Sequence, residues 1–143
     1  MKRKHLNFLL ISALGILIFQ FSIAFKNNEK LPLKQAVEGI WVRTHYASGT
    51  YEFTRSKKLL NQNPGMQFEK GGKMVSRSNS SFCGTPPITY RNYDGVYTIN
   101  PSDSTLYTIY EFWGGKIDQT FKIKFIGSSE MVLESIERET LEE

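Results

Sequence analysis

Between Ile117 and Phe125 the chain alternates residue by residue. Ile117, Gln119, Phe121, Ile123 and Phe125 fall on one face, and Asp118, Thr120, Lys122 and Lys124 on the other. A period of two is satisfied by a strand with one side on a core and the other in water. Similar β-rich stretches recur from Gly39 onward, about eight in all. They are 39–46, 50–55, 65–69, 73–77, 93–100, 105–113, 116–126 and 130–137. Turn chemistry punctuates them: Ser48-Gly49, Asn63-Pro64-Gly65, Gly71-Gly72, Asn100-Pro101-Ser102-Asp103, Gly114-Gly115 and Gly127-Ser128-Ser129, with Asp94-Gly95 also reading as a turn. Short connections make neighbouring strands antiparallel, and closing the sheet on itself removes its exposed edges. The expected fold is all-β, an antiparallel up-and-down barrel of about eight strands. A barrel of this size is either filled by side chains or holds one small ligand.

The stretch before Gly39 has a different character. Lys2, Arg3 and Lys4 precede an almost wholly apolar run from Leu6 to Ile23, and Ser22-Ile23-Ala24 offers small residues at the positions a signal peptidase reads. Residues 1–24 are expected to be a secretory signal peptide, or a membrane anchor if uncleaved. Either way the basic start stays inside and the domain is exported, to be periplasmic, secreted or held at the inner membrane. Residues 25–38 read as a lead-in with a short N-terminal helix, since Pro32 suits a first helical turn and Gly39 a helix end. The barrel domain is expected over 39–138 and a solvated acidic tail over 139–143.

The net charge of +4 and pI near 9.2 raise the question of nucleic acid. Three of the 18 basic residues sit in the leader, and all 14 acidic residues lie beyond it. The remainder is nearly neutral, without the basic stripe that releases counterions from a phosphate backbone, so no nucleic-acid partner is expected. The membrane is reached only through the leader. The single cysteine, Cys83, has no disulfide partner in the chain and reads as a small buried hydrophobe or a free thiol.

Gly39-Ile40-Trp41, entering the first strand after a short helical lead, resembles the G-x-W start of lipocalins. Asp94-Gly95-Val96-Tyr97, Thr105-Leu106-Tyr107, Phe121-Lys122-Ile123 and Met131-Val132-Leu133 are similar to the repeating pattern of small bacterial lipocalin-like domains that follow a signal peptide. The resemblance spans Leu31 to Arg138. It implies that Trp41 packs at the closed end of the barrel with Gly39 beside it, and that a basic residue just after the last strand, Arg138, lies across it. The chain departs from that pattern in its shorter strands, its missing disulfide, and the interrupted stretch from Ser78 to Asn92.

Candidate chemistry is sparse. His45 is the one histidine beyond the leader, with no cysteine or histidine at metal-ligand spacing. Glu52, Glu69, Asp94, Glu111 and Asp118 are scattered singly, and the paired glycines lack a following helix to cradle phosphate. No enzyme activity, metal or cofactor is expected. The aromatic share of 13% is the remaining signal. The expected function is binding of a small apolar or amphipathic ligand inside the barrel, lined by Trp41, Tyr97, Tyr107, Phe121 and Phe125. The alternative is a filled barrel that binds a protein partner through the 78–92 loop, as an inhibitor or interaction module.

Overall fold

In the computed structural model, which describes residues 31–82 and 86–141, every β-rich stretch read from the sequence is a strand. A short helix α1 (Leu33–Val37) precedes β1 (Gly39–Ala47), β2 (Thr50–Ser56), β3 (Gly65–Phe68) and β4 (Lys73–Asn79). The chain continues through β5 (Tyr90–Asn100), β6 (Thr105–Phe112), β7 (Gly115–Ile126) and β8 (Glu130–Leu141). The leader and Cys83 lie outside the described residues. Among those described, no helix is long and apolar enough to cross a membrane.

The strands close in the order β1, β2, β8, β7, β6, β5, β4, β3, with β3 pairing back onto β1 and every pair antiparallel. The closed antiparallel barrel expected from the alternation is therefore present. At one step the spatial order leaves the sequence order: β2 and β3 flank β1 instead of each other, so residues 57–64 double back between them. Arg77 anchors that return, donating from Nε to the Leu60 carbonyl at 2.8 Å and from Nη2 to that of Asn61 at 3.2 Å.

β8 runs four residues beyond Glu137 and keeps pairing with β7 as far as Lys116↔Leu141, so part of the expected solvated tail is barrel wall. β4 and β5 likewise extend into the stretch read as a loop, pairing through Asn79↔Tyr90. Backbone hydrogen bonds gained by each added pair outweigh the weak strand preference of these polar residues, a tertiary effect that propensity does not show.

Three bulges decide which side chains enter the barrel. Thr44 is extra between the pairs Arg43↔Phe53 and His45↔Glu52, Lys124 between Ile123↔Leu133 and Phe125↔Val132, and Ile136 between Phe121↔Ser135 and Thr120↔Glu137. Each inserts one residue opposite none and reverses the inward and outward alternation beyond it. The Lys124 bulge turns Phe125 outward, where it is 52% exposed, instead of continuing the apolar face of Ile117 to Ile123.

Along the barrel axis the interior changes character. Trp41, Phe53, Phe68, Met74, Leu106, Phe121, Met131 and Leu133 pack one half as an apolar core. Towards the other end the same strands turn polar inside: Met74 is followed by Ser76 and Ser78, Leu106 by Thr108 and Tyr110, Leu133 by Ser135, Trp41 by Arg43. A hydrogen-bonded layer separates the two halves. Tyr110 donates to Gln119 Oε1 at 3.2 Å, Gln119 Nε2 to Ser135 Oγ at 3.0 Å, and Thr108 Oγ1 to the Gln119 carbonyl at 3.1 Å. Satisfied in this way, buried polar groups cost little.

The apolar end is sealed by α1. Val37 is fully buried, and its carbonyl accepts the Trp41 indole N–H at 2.7 Å. The cation over the indole is Arg55, with its guanidinium carbon 4.3 Å from the ring centroid and its nitrogens donating to the carbonyls of Ala36 at 2.7 Å and Glu38 at 3.0 Å. Gly39 has φ +130, and a Cβ there would stand 2.6 Å from Arg55 Nη1, so only glycine allows the clasp. Trp41 and Gly39 thus lie at the end closed by α1, and Arg138 does not. It lies inside β8, paired with Gln119 at the opposite end, because β8 continues past it; Arg55, directly opposite Trp41 in the β1–β2 ladder, lies across the indole instead.

Gly95 is not in a turn but inside β5, facing Tyr110 across the β5–β6 ladder. An added Cβ would lie 2.5 Å from the Ile109 carbonyl oxygen and 2.6 Å from Tyr110 Cβ, so the two backbones approach as closely as they do because that atom is missing. Gly95→Ala is expected to destabilise the fold by about 1–3 kcal/mol through overpacking. Urea denaturation checks this, and an unchanged midpoint would show that β5 can shift without cost.

Candidate functional site

The polar half of the interior opens into a cavity of about 250 Å³. Its walls come from strands and their connections. β1 contributes Arg43, β2 Tyr51 and Phe53, β4 Ser76 and Ser78, β6 Tyr110 and Phe112, β7 Ile117 and β8 Arg138, while Trp113 stands in the β6–β7 turn. A single water needs only about 10–15 Å³ and drug-sized pockets run from about 300 Å³ upward, so the space suits a small organic molecule.

Two of the bulges build this mouth. Arg43 precedes the Thr44 bulge and keeps the inward parity of Trp41; beyond it Tyr46, paired with Tyr51 at a ring separation of 4.6 Å, forms the rim. The Arg43 guanidinium lies 5.9 Å from the ring centroids of both Tyr46 and Tyr51. The Ile136 bulge restores Arg138 to the inner face opposite Gln119; without it Glu137 would take that place. A cation therefore lines the mouth where an unbroken strand would have put a carboxylate.

The electrostatics follow from this lining. Arg43 and Arg138 face the cavity, Arg77 borders it from the outer parity of β4 between the inward Ser76 and Ser78, and none of the described lining residues is acidic. Arg77 is spent on Leu60, Asn61, Tyr90 and Asn92, the last through Nη1 to Oδ1 at 2.7 Å. Among the described residues, neither Arg43 nor Arg138 has a side-chain hydrogen bond or ion pair. Burial pushes the Tyr110 phenol up to about 12, with Arg138 and Arg43 pulling it the other way, so it stays a neutral donor. The Ser78 hydroxyl is buried without a hydrogen-bond partner among the described residues.

At the rim the 78–92 stretch meets the β6–β7 turn. Phe82, 84% exposed, rests edge-on against Trp113 at 5.5 Å, and Trp113 in turn against Phe112 at 5.6 Å. Ser80 and Thr89 close the base of this loop through a backbone hydrogen bond of 2.9 Å and a contact between their hydroxyls.

None of the five aromatics expected to receive a ligand lines the cavity. Trp41 and Phe121 are sealed in the core, and Tyr97 is buried near the closed end with its hydroxyl on the Glu69 carbonyl at 2.8 Å. Tyr107 is outside, donating to Asp118, and Phe125 is turned out by its bulge. Periodicity identifies what faces inward but not which half of the interior is already full. Arg43 and Tyr110 were legible in principle, because a basic residue two after Trp41 and a tyrosine two after Thr108 share an inward face. His45 is exposed on the outer surface, and no group of three or more His, Cys, Asp or Glu among the described residues could hold a metal. In comparisons with family models, curated proteins and solved structures, nothing matches the chain.

Proposed function

We propose that this protein is an exported, lipocalin-like binding protein that takes up one small amphipathic molecule at the open end of its barrel. The observation that carries this reading is the cavity of about 250 Å³ lined by Phe53, Met66, Phe112 and Ile117 together with hydroxyls and guanidinium groups. An apolar wall with a few convergent polar groups is the usual make-up of a small-molecule site. The leader supports an extracytoplasmic location, and Trp41 clasped by a cation at the sealed end supports the lipocalin-like assignment. The alternative, a partner-binding module, draws on the exposure of Phe82 and Trp113 at the rim.

The chain has two tryptophans, Trp41 sealed in the core and Trp113 on the cavity wall, so uptake can be followed optically. Titrating the purified full-length protein with 1-octanol and with octanoate should give a saturable shift of tryptophan emission with at least one of them. Trp113→Phe should remove the optical signal but keep the calorimetric heat. No saturable response to either compound would reject the carrier reading and leave the partner-binding one.

A further inference from the structure

Resting on the carrier reading, we infer that the site selects for charge: its ligand is an amphipathic organic anion, with the acidic headgroup held between Arg43 and Arg138 and the apolar body lying against Phe53, Phe112 and Ile117. The first support is the imbalance of the lining, the guanidinium groups of Arg43 and Arg138 with no carboxylate among the described wall residues. Surface arginines ordinarily find an acidic neighbour or open water. Arg43 is half-buried and Arg138 is exposed at the rim, and neither engages a hydrogen-bond acceptor among the described residues, while the neighbouring Arg77 is held by Leu60, Asn61, Tyr90 and Asn92. A guanidinium carries five N–H donors and no acceptor, so Arg43, partly enclosed and met only by the faces of Tyr46 and Tyr51, has donors left for an anion.

The second support is independent of charge. Ser78 Oγ is buried and has no hydrogen-bond partner among the described residues, and Ser78 lines the same cavity. A buried hydroxyl in that state costs stability unless something accepts its proton. A headgroup oxygen placed between the arginines supplies that acceptor.

The third support is geometric, since Arg138 faces inward only through the one-residue bulge at Ile136. Bulges at barrel rims re-aim side chains at the expense of ladder hydrogen bonds, and this one exchanges an inward glutamate for an inward arginine. Arg43, Arg138 and the Tyr110 phenol all line this one cavity. The modest volume restricts the ligand to a medium-chain or single-ring acid.

Calorimetric titration of the full-length protein with octanoate, 1-octanol and octylammonium keeps the tail constant and varies the head. Octanoate is expected to bind about tenfold or more tighter than 1-octanol, with octylammonium the weakest, and added salt should weaken octanoate alone. Arg43→Gln and Arg138→Gln should each weaken octanoate about tenfold, and the double variant should reduce it to the level of 1-octanol. A cooperative urea transition retained in these variants shows that the barrel is intact. Equal affinity for octanoate and 1-octanol in the parent protein, or a preference that survives in the double variant, overturns the anion assignment but leaves a carrier of neutral ligands standing. Failure of all three compounds to bind removes the carrier reading and this inference together.

Discussion

Trp41→Ala is expected to cost about 3–5 kcal/mol, the largest loss from any single substitution considered for this barrel. The indole is fully buried, so truncation leaves a cavity among Val37, Phe53 and Phe68 that a closed sheet cannot collapse to fill. It also orphans the Val37 carbonyl and takes away the surface on which Arg55 rests. Arg55→Ala should cost about 1–2 kcal/mol, because it loses two hydrogen bonds to the end of α1 and a cation–π contact. Arg138→Ala, by contrast, should stay within about 0.5 kcal/mol, as expected for an exposed residue with no side-chain hydrogen bond or ion pair among the described residues. Urea midpoints for the three variants test this directly. A larger loss at Arg138 than at Arg55 would return the clasp to the position that the family resemblance implied.

Raising the pH should unfasten the polar layer. Tyr110 is buried and its pKa is pushed up to about 12 from the ordinary 10.0, mainly by desolvation. The unfolded chain surrenders this proton near pH 10 while the folded barrel holds it, so the unfolded state binds fewer protons across that interval and stability falls as pH rises. The contribution is complete below pH 10 and is gone above about pH 12. A gap of about two units corresponds to about 3 kcal/mol. Denaturant unfolding of the parent protein and of Tyr110→Phe between pH 9 and about 11.5 separates this residue from other alkaline titrations. Tyr97 and Tyr107 are also shifted upward, and they act equally in both proteins. The variant should begin about 1 kcal/mol less stable, having lost the bond to Gln119, and then gain on the parent as pH climbs. Parallel curves would mean that the phenol ionises without penalty.

The wall of the barrel was written plainly in the sequence, and the interior only in part. Alternation from Ile117 to Ile123 sets one inward face, and turn residues such as Ser48-Gly49 and Gly71-Gly72 set the hairpins, because both are local effects. Bulges are different. Lys124 and Ile136 become extra residues only in relation to what β7 and β8 offer each other, so the outward Phe125 and the inward Arg138 followed from pairing and from nothing within either segment. Asp94-Gly95 has the composition of a turn, yet Gly95 owes its place to the proximity of Tyr110, a residue on another strand. The ligand-lining aromatics were misplaced for a related reason. Trp41, Tyr97 and Phe121 do point inward, but the depth at which the interior stops being full depends on how residues from all the strands meet.

The position of the first hairpin shapes the order in which this barrel can assemble. β3 to β8 form a run in which each strand neighbours the next, and such local pairings form readily as the chain lengthens. The β1–β2 hairpin belongs in the gap between the two edges of that run, with Thr50 against Glu134 on one side and Trp41 against Met66 on the other. It acts as a keystone made first and fitted last. Until β8 exists, one flank of the hairpin has nothing to bind, and a newly made chain must carry that open seam until its final strand arrives.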